Sequence, residues 1–145
     1  MLFNDKRVLV PIDGSEPSFR ALSLGAQMAR DLGASLDIIS VIDLKHVDAF
    51  DGYMMSEEQF EELKVAVKEE VLEQAKKRLP DNAPPYRARL MWGGVVEVLL
   101  REAEGEDVAM VFVGRTGKGF FGRMLEGSIS RALSAHCAAP VTIVP

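Results

Sequence analysis

Gly114, Gly117, Gly127 and Ser128 are the residues of this chain whose types and spacing suit a definite chemistry, the binding of an anion. Glycines leave backbone amides uncovered, and Ser128 adds a hydroxyl donor. The first pair follows Val108-Ala109-Met110-Val111-Phe112-Val113, an unbroken apolar run short enough for a strand buried on both faces. Gly114 ends that run and is expected to turn the backbone with a positive φ. Gly117, three residues on, has no Cβ to bar an anion from the amides. Downstream, Ser128, Ile129, Ala132, Leu133, His136 and Cys137 recur at helical spacing, which sets Gly127-Ser128 at a helix N-terminus. Unbonded N–H groups and the positive end of the dipole gather there. Strand, glycine loop and helix start together read as a two-part phosphate cradle, and the triphosphate of ATP is the ligand it suits.

Charge agrees. Residues 114–131 carry four bases (Arg115, Lys118, Arg123, Arg131) and one acid (Glu126) in a chain of formal charge −5. A solvated basic loop would give the same charge; the glycine spacing and the helix start are what favour the cradle.

Two other motif matches fail on context. Gly117 to Gly122 spells G-x-G-x-x-G but starts past the strand end, and no acid stands about twenty residues on to meet a ribose. Gly122 to Ser128 imitates a P-loop without the lysine before the hydroxyl residue. Catalytic groupings are sparse. His136 reads as a helix C-terminal residue, favourable to the dipole, and His46 as an exposed loop residue, with no nucleophile elbow or paired histidine motif. No metal site built from side chains is expected, so any Mg²⁺ would be held mainly by nucleotide phosphates.

The elements that must position the cradle follow in order. Val8 to Ile12 is a first strand, ended by Asp13-Gly14-Ser15. Pro17 begins a helix whose buried face is Ala21, Gly25, Met28, Ala29 and Leu32, and Gly33 closes it. Leu36 to Ile42 is the second strand. After a connection from Asp43 to Met55 that could be a lid, a partner surface or, equally, an ordinary packed loop, Ser56-Glu57-Glu58-Gln59 has the form of a capping box. It opens a helix with its stripe at Phe60, Leu63, Val67, Val71, Ala75 and Leu79. Tyr86 to Trp92 is a strand, Val96, Leu99, Leu100 and Ala103 line a helix, and Val141 to Val144 is the last strand. This alternation predicts an α/β fold, a three-layer doubly wound parallel sheet, with ligands beyond the carboxyl ends of its strands.

The chain has 145 residues, 48% of them hydrophobic, the size of one domain spanning 1–145. With 27% charged residues and a pI near 5.1, nucleic acid is not an expected partner. Its single cysteine, Cys137, cannot form an internal disulfide, and the apolar run from Val8 to Ile12 is too short for a signal or a membrane span. A cytoplasmic protein with no membrane association is expected.

Gly114, Gly117, Gly127 and Ser128 complete a pattern of Gly, two residues, Gly, nine residues, Gly, Ser or Thr, and Val10-Pro11-Ile12-Asp13-Gly14-Ser15 matches the opening that goes with it. In both respects the chain resembles the ATP-binding branch of the universal stress protein family over essentially its whole length. The resemblance implies an adenine nucleotide alpha hydrolase-like sheet with strand order 3-2-1-4-5. It places the nucleotide on Pro11, Ile12, Asp13, the backbone of Val41, Gly114, Arg115, Gly117, Gly127, Ser128 and Ile129, with adenine near Asp13 and Val41. The plainer rival is that Asp13 is a turn and cap residue and Val41 strand core, with ligand contact the favoured reading of both. Where the family often has serine then a basic or histidine residue, this chain has Arg115 then Thr116, which moves the positive charge by one position. The resemblance also implies a homodimer through Val141, Thr142, Ile143 and Val144, an uncharged strand at a sheet edge. The function expected is a nucleotide-dependent stress-response switch acting on a protein partner, with at most slow hydrolysis. The alternatives are a true ATPase or phosphotransferase, and a nucleotide-free scaffold.

Overall fold

The computed structural model describes residues 3–43, 56–115 and 127–145. Its elements run β1 (Arg7–Pro11), α1 (Glu16–Leu32), β2 (Ser35–Ile42), α2 (Glu57–Val67), a π-helical turn (Lys68–Leu72) and α3 (Glu73–Lys77). They continue with β3 (Tyr86–Trp92), α4 (Val95–Ala103), β4 (Val108–Gly114), α5 (Ser128–His136) and β5 (Val141–Val144). All five strands are parallel and lie in the order β3-β2-β1-β4-β5. The winding therefore reverses between β1 and β4.

Strand alternation builds the layers. Val8, Val10, Leu36, Ile38 and Ile42 face α1 and the α2–α3 helix, whose Ala21, Leu22, Ala26, Val67, Val71 and Ala75 complete one buried cluster. Leu9, Ile39, Val111 and Val113 face the other way, onto Leu99, Ala103 and Leu133 of α4 and α5. A central sheet, apolar on both sides, is the reason its strands read as continuous hydrophobic runs.

Local signals set the helix limits. Ser15 accepts a hydrogen bond from the Ser18 amide at the start of α1, and Gly33 ends it at φ 74°. Ser56 and Gln59 form the reciprocal capping box at the start of α2. Two details differ from the sequence reading. In α4, Val98 is buried rather than Val96, because a helix starting at Val95 turns 98, 99 and 103 onto the sheet. The long helix is also widened by one π-helical turn, which keeps Val67, Val71, Leu72 and Ala75 all buried. Among the described residues no helix is long and apolar enough to cross a membrane.

At the amino ends of the strands, opposite their carboxyl ends, Asp37 is 1% exposed. It accepts hydrogen bonds from Arg7, from Arg87 at 3.0 Å and from Arg89 at 2.9 and 3.1 Å. Arg89 also reaches Glu102 of α4 at 2.8 Å, and Arg7 reaches Asp107 at 3.0 Å. Three strands and α4 are cross-linked there by charge.

Candidate functional site

The carboxyl ends of β1 and β4 flank the reversal, so Asp13 and Gly114 border the crevice that such a sheet leaves for a ligand. Asp13 is half-buried, and its Oδ1 accepts from the Ser15 amide at 2.9 Å, so it does shape the turn into α1. Pro11 is the last residue of β1, and Ile12, buried, continues the ladder by donating its N–H to the Ile39 carbonyl at 2.8 Å.

Beyond that bond β1 has left the sheet, while β2 runs on to Ile42. The Ile39 carbonyl faces β1, and the Ile42 carbonyl faces β3, where it accepts from Gly93 at 3.1 Å. Backbone groups of alternate residues in a strand point to the same side, so Val41 aims its N–H and C=O at the space past the end of β1. Its side chain meanwhile packs against the α4–α5 core, beside its register partner Met91. Core residue and crevice wall are thus both true of Val41, for different atoms.

Gly114 departs from expectation in its cause. Among the described glycines, positive φ occurs at Gly14, Gly33, Gly93 and Gly127, and Gly114 is not one of them. A Cβ at Gly114 would instead lie 2.9 Å from the Pro17 carbonyl carbon and 2.9 Å from the Ser18 amide nitrogen. The glycine is required because the first turn of α1 sits directly on the end of β4. That contact brings the start of α1 to the crevice.

Gly127 does adopt the left-handed conformation, at φ 73°, and starts α5. Its missing Cβ would stand 3.2 Å from the Arg115 carbonyl oxygen, so the two edges of the glycine loop meet there. Ser128, exposed, and Ile129, half-buried against the α4–α5 core, form the first turn of α5, where helix amides point outward. Arg115 is exposed, its amide donating to the Val144 carbonyl of β5 at 2.7 Å. Arg131 brings its Nε to 3.7 Å from the place of the missing Cβ of Gly127. Gly117 and Thr116 lie outside the described residues.

Fold and site geometry therefore bring Pro11, Ile12, Asp13, Val41, Gly114, Arg115, Gly127, Ser128 and Ile129 to one end of one sheet. A sequence model of the universal stress protein family matches residues 5–145. The chain belongs to the universal stress protein family. It is 29% identical to the universal stress protein YxiE of Bacillus subtilis over 99% of each chain. Among solved structures it is similar to hypothetical protein MJ0577, with a TM-score of 0.71 and 25% identity over 96% of this chain and 94% of that one. It is also similar to a universal stress protein in complex with cAMP, with a TM-score of 0.64 and 24% identity over 96% and 95%. An Arabidopsis thaliana family protein with AMP bound aligns with a TM-score of 0.57 and 15% identity over 96% and 90%.

Sequence reasoning missed Ser130, 3% exposed in the first turn of α5, whose Oγ lies 3.0 Å from the Arg115 carbonyl and 3.0 Å from the Gly127 carbonyl. Its signal was present in Gly127-Ser128-Ile129-Ser130, a helix start with two hydroxyls. A buried serine so near a helix N-terminus asks what it bonds.

Proposed function

We propose that this universal stress protein binds ATP or a related adenine nucleotide in the crevice between β1 and β4, and that occupancy sets a conformational state read by another protein. The observation that carries the reading is the approach of Gly127 to Arg115. A left-handed glycine at the start of α5 holds the loop edge where helix amides and Ser128 meet the strand end, a place suited to phosphate. Adenine would lie near the second oxygen of Asp13 and the Val41 backbone, with Pro11 and Ile12 beneath it. Gly114, Arg115, Gly117, Gly127, Ser128 and Ile129 would hold the phosphates. The family members solved with cAMP and with AMP support an adenine ligand.

Among the described residues no three His, Cys, Asp or Glu side chains converge on a point. Mg²⁺, when bound, would be held mainly by the phosphates and would neutralise their charge. Turnover is expected to be slow, and binding to be what matters. A cytoplasmic homodimer joined through β5 completes the reading, since β5 lies at an edge and carries no charge to deter pairing.

The test is to denature the purified protein, identify what it releases, and titrate the emptied protein with MgATP. Adenine nucleotide released, or saturable MgATP binding, is expected. Released flavin or coenzyme A, or no binding of any adenine nucleotide, would overturn the reading. Rapid steady-state hydrolysis lost in Asp13→Ala would assign an enzyme instead.

A further inference from the structure

We infer that Ser130 is a positioning residue for phosphate binding, a clasp that joins the two ends of the glycine loop; this rests on the nucleotide reading above. Residue 115 leaves β4 and residue 127 enters α5, and both ends converge on the Ser130 hydroxyl, 3.0 Å from each carbonyl. A hydroxyl has one proton to give. The Gly127 carbonyl already accepts the Arg131 amide at 2.8 Å, an ordinary helical bond, so the proton is best placed on Arg115.

Arg115 is then held twice. Its N–H is tied to Val144 of β5, and its C=O to Ser130 of α5. Without the hydroxyl, its carbonyl would lose a bond inside the protein at a point that sets where the loop departs. The consequence falls on the phosphates, which the loop edge and the α5 amides must grip together. It does not fall on adenine, which sits against β1 and β2. Ser130 therefore acts through other residues and touches no ligand itself.

Ser130→Ala removes one oxygen and introduces a good helix former, so the fold stands, as circular dichroism will report. Wild type, Ser130→Ala and Ser130→Thr are titrated calorimetrically with MgATP, ADP, AMP and adenosine. The alanine variant is expected to bind MgATP roughly three- to tenfold more weakly while holding adenosine within about twofold. Ser130→Thr, which keeps the hydroxyl, is expected to bind MgATP within about twofold of wild type. MgATP binding unchanged in Ser130→Ala, or MgATP and adenosine weakened by the same factor, would overturn the clasp. Wild type binding none of the four ligands would sink the nucleotide reading itself.

Discussion

Asp37 and Arg89 meet in a side-on, two-point pair, with Nε donating to Oδ1 at 3.1 Å and Nη2 to Oδ2 at 2.9 Å. The carboxylate is buried, and burial alone would raise its pKa. Hydrogen bonds from Arg87 and Arg89, and their charges, outweigh that and hold it below the ordinary aspartate value of 3.8. Arg89 is pushed down by burial and, more strongly, up by Glu102 and Asp37, so it stays charged. Glu102 belongs to α4 and Asp37 to β2, so Arg89 ties the helix layer to the sheet.

Removing the central carboxylate leaves arginines facing one another. Asp37→Asn is expected to lower unfolding stability by roughly 3 kcal/mol, near the lower end for breaking a buried pair because Arg87 is largely exposed and solvated. The pH dependence has a definite sign. A carboxylate whose folded pKa is depressed contributes stability fully above its unfolded pKa, and loses it as pH falls through the folded value. Wild-type stability should therefore drop on acidification below about 3.8 more steeply than that of the variant. Urea titrations at several pH values check both; parallel curves would count against the assignment.

Gly114→Ala should loosen α1 from β4. The clash is with backbone atoms of Pro17 and Ser18, which cannot swing aside as a side chain can. A cost of about 1–3 kcal/mol, as for overpacking, is expected in chemical denaturation. Nucleotide affinity should fall with it, since the start of α1 borders the same crevice. An alanine variant as stable as wild type would show that the helix start can withdraw freely.

Much of this architecture was legible because its signals are local. Ser56 and Gln59 announce their own capping box, Gly33 its helix end, and the double-faced sheet its apolar runs. Gly114 was legible as a needed glycine but not in its reason, since a clash with Pro17 and Ser18 is a contact between distant parts of the chain. The Asp37 cluster was hidden for the same cause: Arg7, Asp37, Arg87 and Glu102 are far apart in sequence, and only strand register, with α4 seated on the sheet, brings them together. Ser130 looked like one more polar helix residue until Arg115 stood beside it.

At Gly25 two effects oppose. In mid-helix, alanine is favoured over glycine by about 1 kcal/mol. A Cβ there, however, would stand 2.6 Å from Cγ2 of Val10 and 3.5 Å from Phe112. Val10 is fully buried in a strand, with no room to yield, so overpacking of about 1–3 kcal/mol should win. Gly25→Ala is expected to lower the thermal midpoint; a rise would mean that α1 slides on the sheet at little cost.

Ile143 is the test of what β5 does at its edge. It is 38% exposed on a strand that bonds β4 along one side, and Thr142 and Val144 turn to the opposite face. If a second copy covers that edge, a charge at residue 143 must be buried or the pairing given up, and the cost of burying it exceeds what a short strand gains. Ile143→Lys should then shift the protein from dimer to monomer by light scattering on a sizing column. Because the residue is partly exposed within one subunit, the unfolding stability of the monomer should change by no more than about 0.5 kcal/mol. A wild type that runs as a monomer at high concentration, or a lysine variant that stays dimeric, would place the dimer contact elsewhere or remove it.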